Sequence, residues 1–256
     1  MTTLTTLIPA YKADYLEPLF LGLCRQSFKD FEVILSDDSP GGRITDLIRD
    51  GRFKHLTSKL KLTVIQGPGS AALNHQQLVE VWQRRTPLVH IHNDDDLILP
   101  DFYQRHVAAH AIAPCAATVS QRWLSHDDGV PAWSLPLPDF VHQSAEHLLS
   151  LNAETIVQST VATCSNWLGE LSNMVLSAEG AAHYPHPPTH DLSHYGLLDM
   201  GFVLGASQHM PLTFIRESLS VFRQNAQQTT HHTKRPLDVI GHLAWVASAL
   251  VRSEEH

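Results

Sequence analysis

The sequence predicts an α/β fold: a mostly parallel sheet flanked by helices, continued by a smaller second half. Short apolar and β-branched runs recur at residues 4–8, 31–36, 60–66 and 88–92, each of strand length and each closed by a turn or polar signal. Helical periods fill the gaps between them. The chain has 256 residues, 43% hydrophobic and 17% charged, enough to bury a substantial core. Strands that alternate with helices favour a parallel sheet covered on both faces.

The first run ends at Pro9, the second (FEVILS) at Asp37-Asp38, the third (LKLTVIQ) at Gly67-Pro68-Gly69, and the fourth (LVHIH) at Asn93. Leu16, Leu19, Phe20 and Leu23 lie at i, i+3, i+4 and i+7, one apolar helical stripe. Asp14, with Glu17 three residues on, is the predicted N-cap of that helix. Ser70 is the predicted cap of a second helix carrying Leu78, Val81 and Trp82. Pro100 marks the start of a third, with Tyr103, Val107 and Ala111 at helical spacing. Residues 112–150 are less regular, with Pro131, Pro136, Pro138 and a turn at Asp127-Asp128-Gly129. Residues 183–195 (HYPHPPTHDLSHY) read as a loop. Pro236 opens an apolar helix over residues 237–251. This gives three parts: 1–112, 113–235 and a C-terminal helix in 236–256. That helix is apolar on nearly every face, including Trp245 and Val246, which places it in the core or at a homodimer interface.

Composition removes several functions. A formal charge of −8 and a pI near 6.1 argue against nucleic acid as a partner. No apolar run reaches the roughly 18 residues that span a bilayer, and the N-terminus has no secretory pattern. Lys234, Arg235 and Arg252 beside the last helix leave room for attachment to an anionic leaflet. Cys24, Cys115 and Cys164 form no CxxC pair and read as reduced cytoplasmic thiols. The 18 histidines are mostly scattered singly.

Ligands of parallel sheets bind at the carboxyl ends of the strands. The polar residues there are Pro9-Ala10-Tyr11, Asp37-Asp38 and Asn93-Asp94-Asp95-Asp96. Asp94, Asp95, Asp96 and Asp101 put four carboxylates within eight residues, a repulsion that a cation resolves. Oxygen-rich sites of this kind suit Mg²⁺ or Mn²⁺ shared with phosphates; a solvated turn with a helix cap is the plainer alternative. Asp38 can accept hydrogen bonds from ribose or a base, and Tyr11 offers a flat face; turn chemistry and packing are their alternatives. Taken together, these residues put a nucleotide beside an acidic cluster.

The segment LIPAYKADYLEPLFLGLCRQSFKDFEVILSDDSPGG resembles the N-terminal signature of the family 2 glycosyltransferases, and LVHIHNDDDLILPDFYQRHVAAH resembles their DxDDxxxP region. The likeness covers about residues 4–112, with a weaker echo to about 232. It implies a GT-A fold with a Rossmann-like sheet and an acceptor-binding second half. It also implies an inverting transfer of sugar from a nucleotide-diphosphate sugar, UDP-sugars foremost. The acceptor would be a carbohydrate, a lipid-linked group or a protein, as in bacterial surface polysaccharide or glycoconjugate synthesis in the cytoplasm or at the inner membrane face.

Residue by residue, the resemblance gives Pro9, Tyr11 and Asp38 to the nucleotide. Its acidic triplet falls on Asn93-Asp94-Asp95, with Asp95 as ligand of Mn²⁺ or Mg²⁺ and Asp94 facing ribose or sugar. Asn93 replaces the first acid, and Lys12 stands where asparagine is usual. Around Gly69 to His75 some relatives offer a basic residue; His75 receives no role. The implied base is Asp199, 24 residues before Arg223; Asp191, beside His190, fits the interval less well. Leu198 and Asn225 depart from the family's Glu and His, and His231 or His232 could replace the latter. Nucleotide binding is thus expected to need the metal. Two other readings stand beside this one. The departures at Asn93, Leu198 and Asn225 suit a non-catalytic nucleotide-sugar binder. His90, His92 and Asp94 nearly spell the HxHxDH motif of zinc hydrolases, although strand alternation would also put both histidines under a helix.

Overall fold

The four apolar runs form adjacent parallel strands. β1 (Leu4–Ala10) lies between β2 (Phe31–Asp37) and β4 (Leu88–Ile91), and β2 pairs with β3 (Leu62–Gln66). The computed structural model describes residues 2–160, 163, 165–184 and 198–224. Helices α1 (Leu16–Cys24), α2 (Arg43–Arg49), α3 (Lys54–Thr57), α4 (Ala71–Trp82) and α5 (Phe102–His110) separate or follow these strands, and the short strand β5 (Leu97–Ile98) precedes α5.

The second half adds β6 (Ala117–Ser125), β7 (Pro131–Trp133), α6 (Asp139–Gln143), β8 (Leu148–Leu151), α7 (Ala153–Thr160), β9 (Met174–Ser177), α8 (Leu198–Ser207) and β10 (Leu212–Arg223). The sheet order is β3-β2-β1-β4-β9-β6-β10-β5, with β7 on β6 and β8 on β10. β9 is antiparallel to both β4 and β6, so β6 and its parallel partner β10 run in the same direction as β1 to β4. Six strands therefore end at one edge.

Alternation along the strands sorts the core into two layers. Leu4, Ile8, Phe31, Val33 and Leu35 face α1 and α5 through Leu19, Phe20, Phe102 and Tyr103. Leu7, Ile34, Val89 and Ile91 face α4 and α8 through Leu78, Trp82, Phe202 and Val203. The predicted stripe of α1 is the buried one, with Leu16, Leu19, Phe20 and Leu23 at 0–1% exposure.

The helix starts differ in detail from the sequence pattern. Ala13–Tyr15 forms a 3₁₀ turn that takes up Asp14, so Tyr15 caps α1. Ser70 does cap α4, without a side-chain bond, and Asp101, one residue past Pro100, caps α5. Cys24 and Cys115 are free thiols. No helix among the described residues is long and apolar enough to cross a membrane. Cys164, Asp191, Asn225, His231, His232, nearly all of the 183–195 loop and the 237–251 helix lie outside the described residues.

Candidate functional site at the carboxyl edge of the sheet

The exits of β1 and β4 are tied together by one carboxylate. Leaving β1, the backbone amides of Tyr11 and Lys12 both donate to Asp94 Oδ2, at 2.6 Å each. Asp94 is nearly buried, and burial pushes its carboxyl up to about 6 against the pull of those amides. Asp94 thus anchors backbone, and it does so with an oxygen the resemblance assigns to ribose or sugar. The same anchor fixes the start of the Lys12 side chain. Lys12 Nζ reaches Asp95 Oδ2 at 2.5 Å, with side-chain exposures of 21% and 10%. The Tyr11 ring stays 58% exposed at the edge, open to a planar partner. Pro9, within β1, lies opposite Ser36 in the ladder.

The exit of β2 separates its two aspartates. Asp37 is fully buried and accepts from Ser39 N and Oγ on one oxygen and from Thr45 N and Oγ1 on the other. Burial pushes its carboxyl up, but those four donors outweigh burial and hold it below the ordinary value. Asp37 is therefore spent on folding the loop into α2. Asp38 is half-buried beside the exit of β3, accepting from Gly69 N on Oδ1. A Cβ on Gly67 would lie 2.6 Å from Asp38 Oδ1 and 2.9 Å from the Asp37 carbonyl oxygen. Gly67→Ala is accordingly expected to cost about 1–3 kcal/mol in urea unfolding through overpacking. It should also displace the Asp38 carboxylate.

Arg223, the last residue of β10, draws three other exits together. Its amide donates to Asp96 Oδ1 at 3.2 Å, its Nε to the Asp95 carbonyl at 2.8 Å, and its Nη1 to the Asp127 carbonyl beyond β6. Its guanidinium lies 4.6 Å from the centre of the Tyr15 ring, a cation–π arrangement. Asp96 is 1% exposed, and burial together with the Asp95 charge pushes its carboxyl well up. The turn at Asp127-Asp128-Gly129 forms as its residues predict, with Gly129 at φ +75°.

A fourth group surrounds Asp199 with two residues, Arg122 and Glu170, that were not visible in the sequence. Arg122 points from β6 into a loop that precedes β9 and grips Glu170 with two nitrogens, Nε at 2.8 Å and Nη2 at 3.2 Å. The guanidinium also reaches the carbonyls of Trp167 and Asn166. Gly169 sits at φ +106°, and a Cβ there would meet Asn173 Oδ1 at 2.3 Å and Arg122 Nη1 at 2.6 Å. Only glycine lets the loop close over the arginine. Glu170 and Asn173 cap one another across the same loop. Asp199, in the first turn of α8, is half-buried and accepts from Leu171 N at 3.2 Å. Burial, and then the Glu170 charge, push its carboxyl up to about 7, with Arg122 opposing.

The sequence matches no protein-family model and no curated protein sequence. Solved structures match over nearly the whole chain. TarS of S. aureus in complex with UDP aligns at TM-score 0.66 and 15% identity, covering 97% of this chain and 65% of that one. Mannosyltransferase PcManGT of Pyrobaculum calidifontis, with GDP-Man and Mn²⁺, aligns at TM-score 0.63 and 15% identity, covering 97% and 64%. GalNAc-T7, with UDP, GalNAc and Mn²⁺, aligns at TM-score 0.60 and 10% identity, covering 89% and 45%. The chain has the GT-A glycosyltransferase fold. It spans less than two thirds of the length of each of these proteins.

Within this GT-A frame, the donor set at the acidic edge does not fit a resident divalent ion as arranged. Asp94 Oδ2 is committed to two amides, Asp96 Oδ1 accepts from Arg223, and Asp95 Oδ2 already carries an ammonium. No three His, Cys, Asp or Glu side chains gather as metal ligands among the described residues. The expected Asp95 metal site thus meets a lysine that the sequence pattern marks only as a departure. The zinc motif does not assemble either. His90 uses one ring nitrogen on Tyr103 Oη and the other on the Ser172 carbonyl, and its ring stacks on His92 beneath Phe102 of α5. Burial holds both imidazoles well below their ordinary pKa, so they are neutral rings of the core. His75 bonds back to the Ala71 carbonyl within α4.

Proposed function

We propose that this protein is a glycosyltransferase that moves a sugar from a nucleotide-diphosphate sugar to a hydroxyl acceptor with inversion. The observation that carries the reading is the GT-A sheet whose strand exits display the exposed Tyr11 ring and Asp38, with Asp199 in the first turn of α8 supporting it as a carboxyl bonded to Leu171 N that burial pushes up to about 7. A general base works best when its pKa lies near the operating pH. Asp199 is pushed there by burial and by the Glu170 charge, and kept from rising further by the Leu171 amide and then by Arg122.

In this reading the exposed Tyr11 ring stacks on the base and Asp38 accepts from the ribose or the base edge. Pro9 shapes the wall beneath. The acceptor oxygen attacks the anomeric carbon from the face opposite the diphosphate. As the new C–O bond forms, the acceptor proton passes to Asp199. The bond between anomeric carbon and phosphate oxygen breaks, and its electron pair leaves with the nucleoside diphosphate. UDP-sugars are the first donors to try, since TarS was solved with UDP and with UDP-GlcNAc; GDP-mannose is next, from PcManGT. A carbohydrate, a lipid-linked group or a protein supplies the hydroxyl, as in surface polysaccharide or glycoconjugate synthesis.

A second reading concerns the metal. PcManGT and GalNAc-T7 were both solved with Mn²⁺, which supports an ion on Asp95 once Lys12 has moved away.

Calorimetry with UDP and GDP tests the core of the reading. One of them should bind, and Asp38→Ala should weaken it about tenfold, the equivalent of one charged hydrogen bond. If neither binds at millimolar concentration, the nucleotide-sugar reading is wrong. If a nucleotide sugar binds but no acceptor ever yields free nucleoside diphosphate, the protein is a binder without turnover.

A further inference from the structure

We propose that Lys12 is the cation this site sets against the diphosphate, so that nucleotide binds without a divalent ion; this rests on the nucleotide-sugar reading above. Four observations converge on it. The backbone of Lys12 is held in place by Asp94, so its side chain starts from a fixed point at the exit of β1. Its ammonium is fixed at the other end by Asp95 Oδ2 at 2.5 Å. It lies at the strand edge between the exposed Tyr11 ring and the acidic loop after β4. One oxygen of each neighbouring carboxylate, Asp94 Oδ2 and Asp96 Oδ1, is already taken by backbone amides.

The chemistry follows from the valence of an ammonium. Lysine carries three donors, and Asp95 takes one of them. The other two can meet the oxygens of a pyrophosphate, the point-charge manner in which lysine binds phosphate. A divalent ion on Asp95 Oδ2 would compete with the ammonium for one oxygen and be repelled by it. Asp95 then serves to aim the lysine. This would replace Lewis-acid help at the leaving group by a fixed positive charge.

Calorimetry with UDP and GDP, first in EDTA and then in excess Mn²⁺, decides the matter. The native protein should bind the same nucleotide in both conditions, within about threefold. Lys12→Met should lose about 10–100-fold in EDTA, the range expected for a charge-assisted bond to phosphate. Lys12→Arg should keep most of the affinity. Thermal unfolding of both variants checks that the fold is intact. Native binding that appears only with Mn²⁺, or a Lys12→Met protein that binds in EDTA like the native one, overturns the proposal and leaves the nucleotide-sugar reading standing. No binding in any condition removes both.

Discussion

Asp199→Asn is expected to cut sugar transfer by about 10²–10⁴-fold, the usual contribution of a positioned general base, with nucleotide affinity unchanged. The amide keeps the shape of the side chain and can still accept from Leu171 N. It cannot take the acceptor proton. Nucleotide affinity should hold because the donor contacts proposed above come from Tyr11, Lys12 and Asp38, on other strand exits. Measured as turnover at saturating donor, the loss falls on kcat. A variant that keeps full turnover would move the base elsewhere, and Asp191 is then the next residue to replace.

The same residue sets a pH profile. Asp199 must be ionised to act as a base, so the native rate should rise with pH through about 7 and level off above it. Stability runs the other way. Its folded pKa is raised from the ordinary 3.8 to about 7, so the folded protein resists losing a proton that the unfolded chain gives up readily. The native fold should lose stability as pH rises from about 4 to about 7 and stay at the lower value beyond. Asp199→Asn has no proton to lose. Its stability advantage over the native protein should be absent near pH 4 and full above pH 7, a trade of stability for function. Equal pH dependence in both proteins would mean that Asp199 titrates normally.

What the sequence made legible, and what it hid, divides by contrast and by distance along the chain. The strands from β1 to β4 were legible because runs such as FEVIL and LVHI are mostly apolar, each interrupted by a single polar residue, Glu32 or His90, which is close to the pattern of a strand buried on both faces. β6 was not, because it buries Thr118, Ser120, Arg122 and Ser125 among its apolar residues and so lacks that contrast. The edge carrying Tyr11, Asp38 and Asp95 could be named because parallel strands bring their ends together. How Asp37 and Asp38 divide their work could not be read from adjacency. It depends on Ser39 and Thr45 closing over one of them. The family resemblance drew attention to Asp199 but said nothing about its environment. That environment comes from Glu170 and Arg122, residues 48 positions apart that meet only because β9 lies beside β6, with Met174 opposite Val119. Lys12 was visible as an oddity. Its meaning required the amides that Asp94 holds.

Arg122→Met is the expected source of the largest stability loss, about 3–5 kcal/mol, because it leaves a buried carboxylate without its partner. Arg122 is 6% exposed and Glu170 18%, and the fork between them also holds the carbonyls of Trp167 and Asn166. Burial already pushes the Glu170 carboxyl up, with Arg122 opposing. Without the arginine it rises further, so the variant should lose more stability as pH climbs above the ordinary carboxylate range near 4. Urea unfolding at pH 5 and pH 8 should show the smaller deficit at pH 5. Adding Glu170→Gln should recover a large part of the loss at pH 8, since the pair is then replaced by neutral groups. Catalysis gives an independent reading of the same pair. Arg122 lowers the Asp199 pKa and Glu170 raises it. Glu170→Gln alone should therefore shift the midpoint of the rate profile to lower pH, and Arg122→Met should shift it to higher pH. Opposite shifts would place the fork as the setting of the base. If both midpoints stay at the native value, the pair holds the loop and leaves Asp199 untouched.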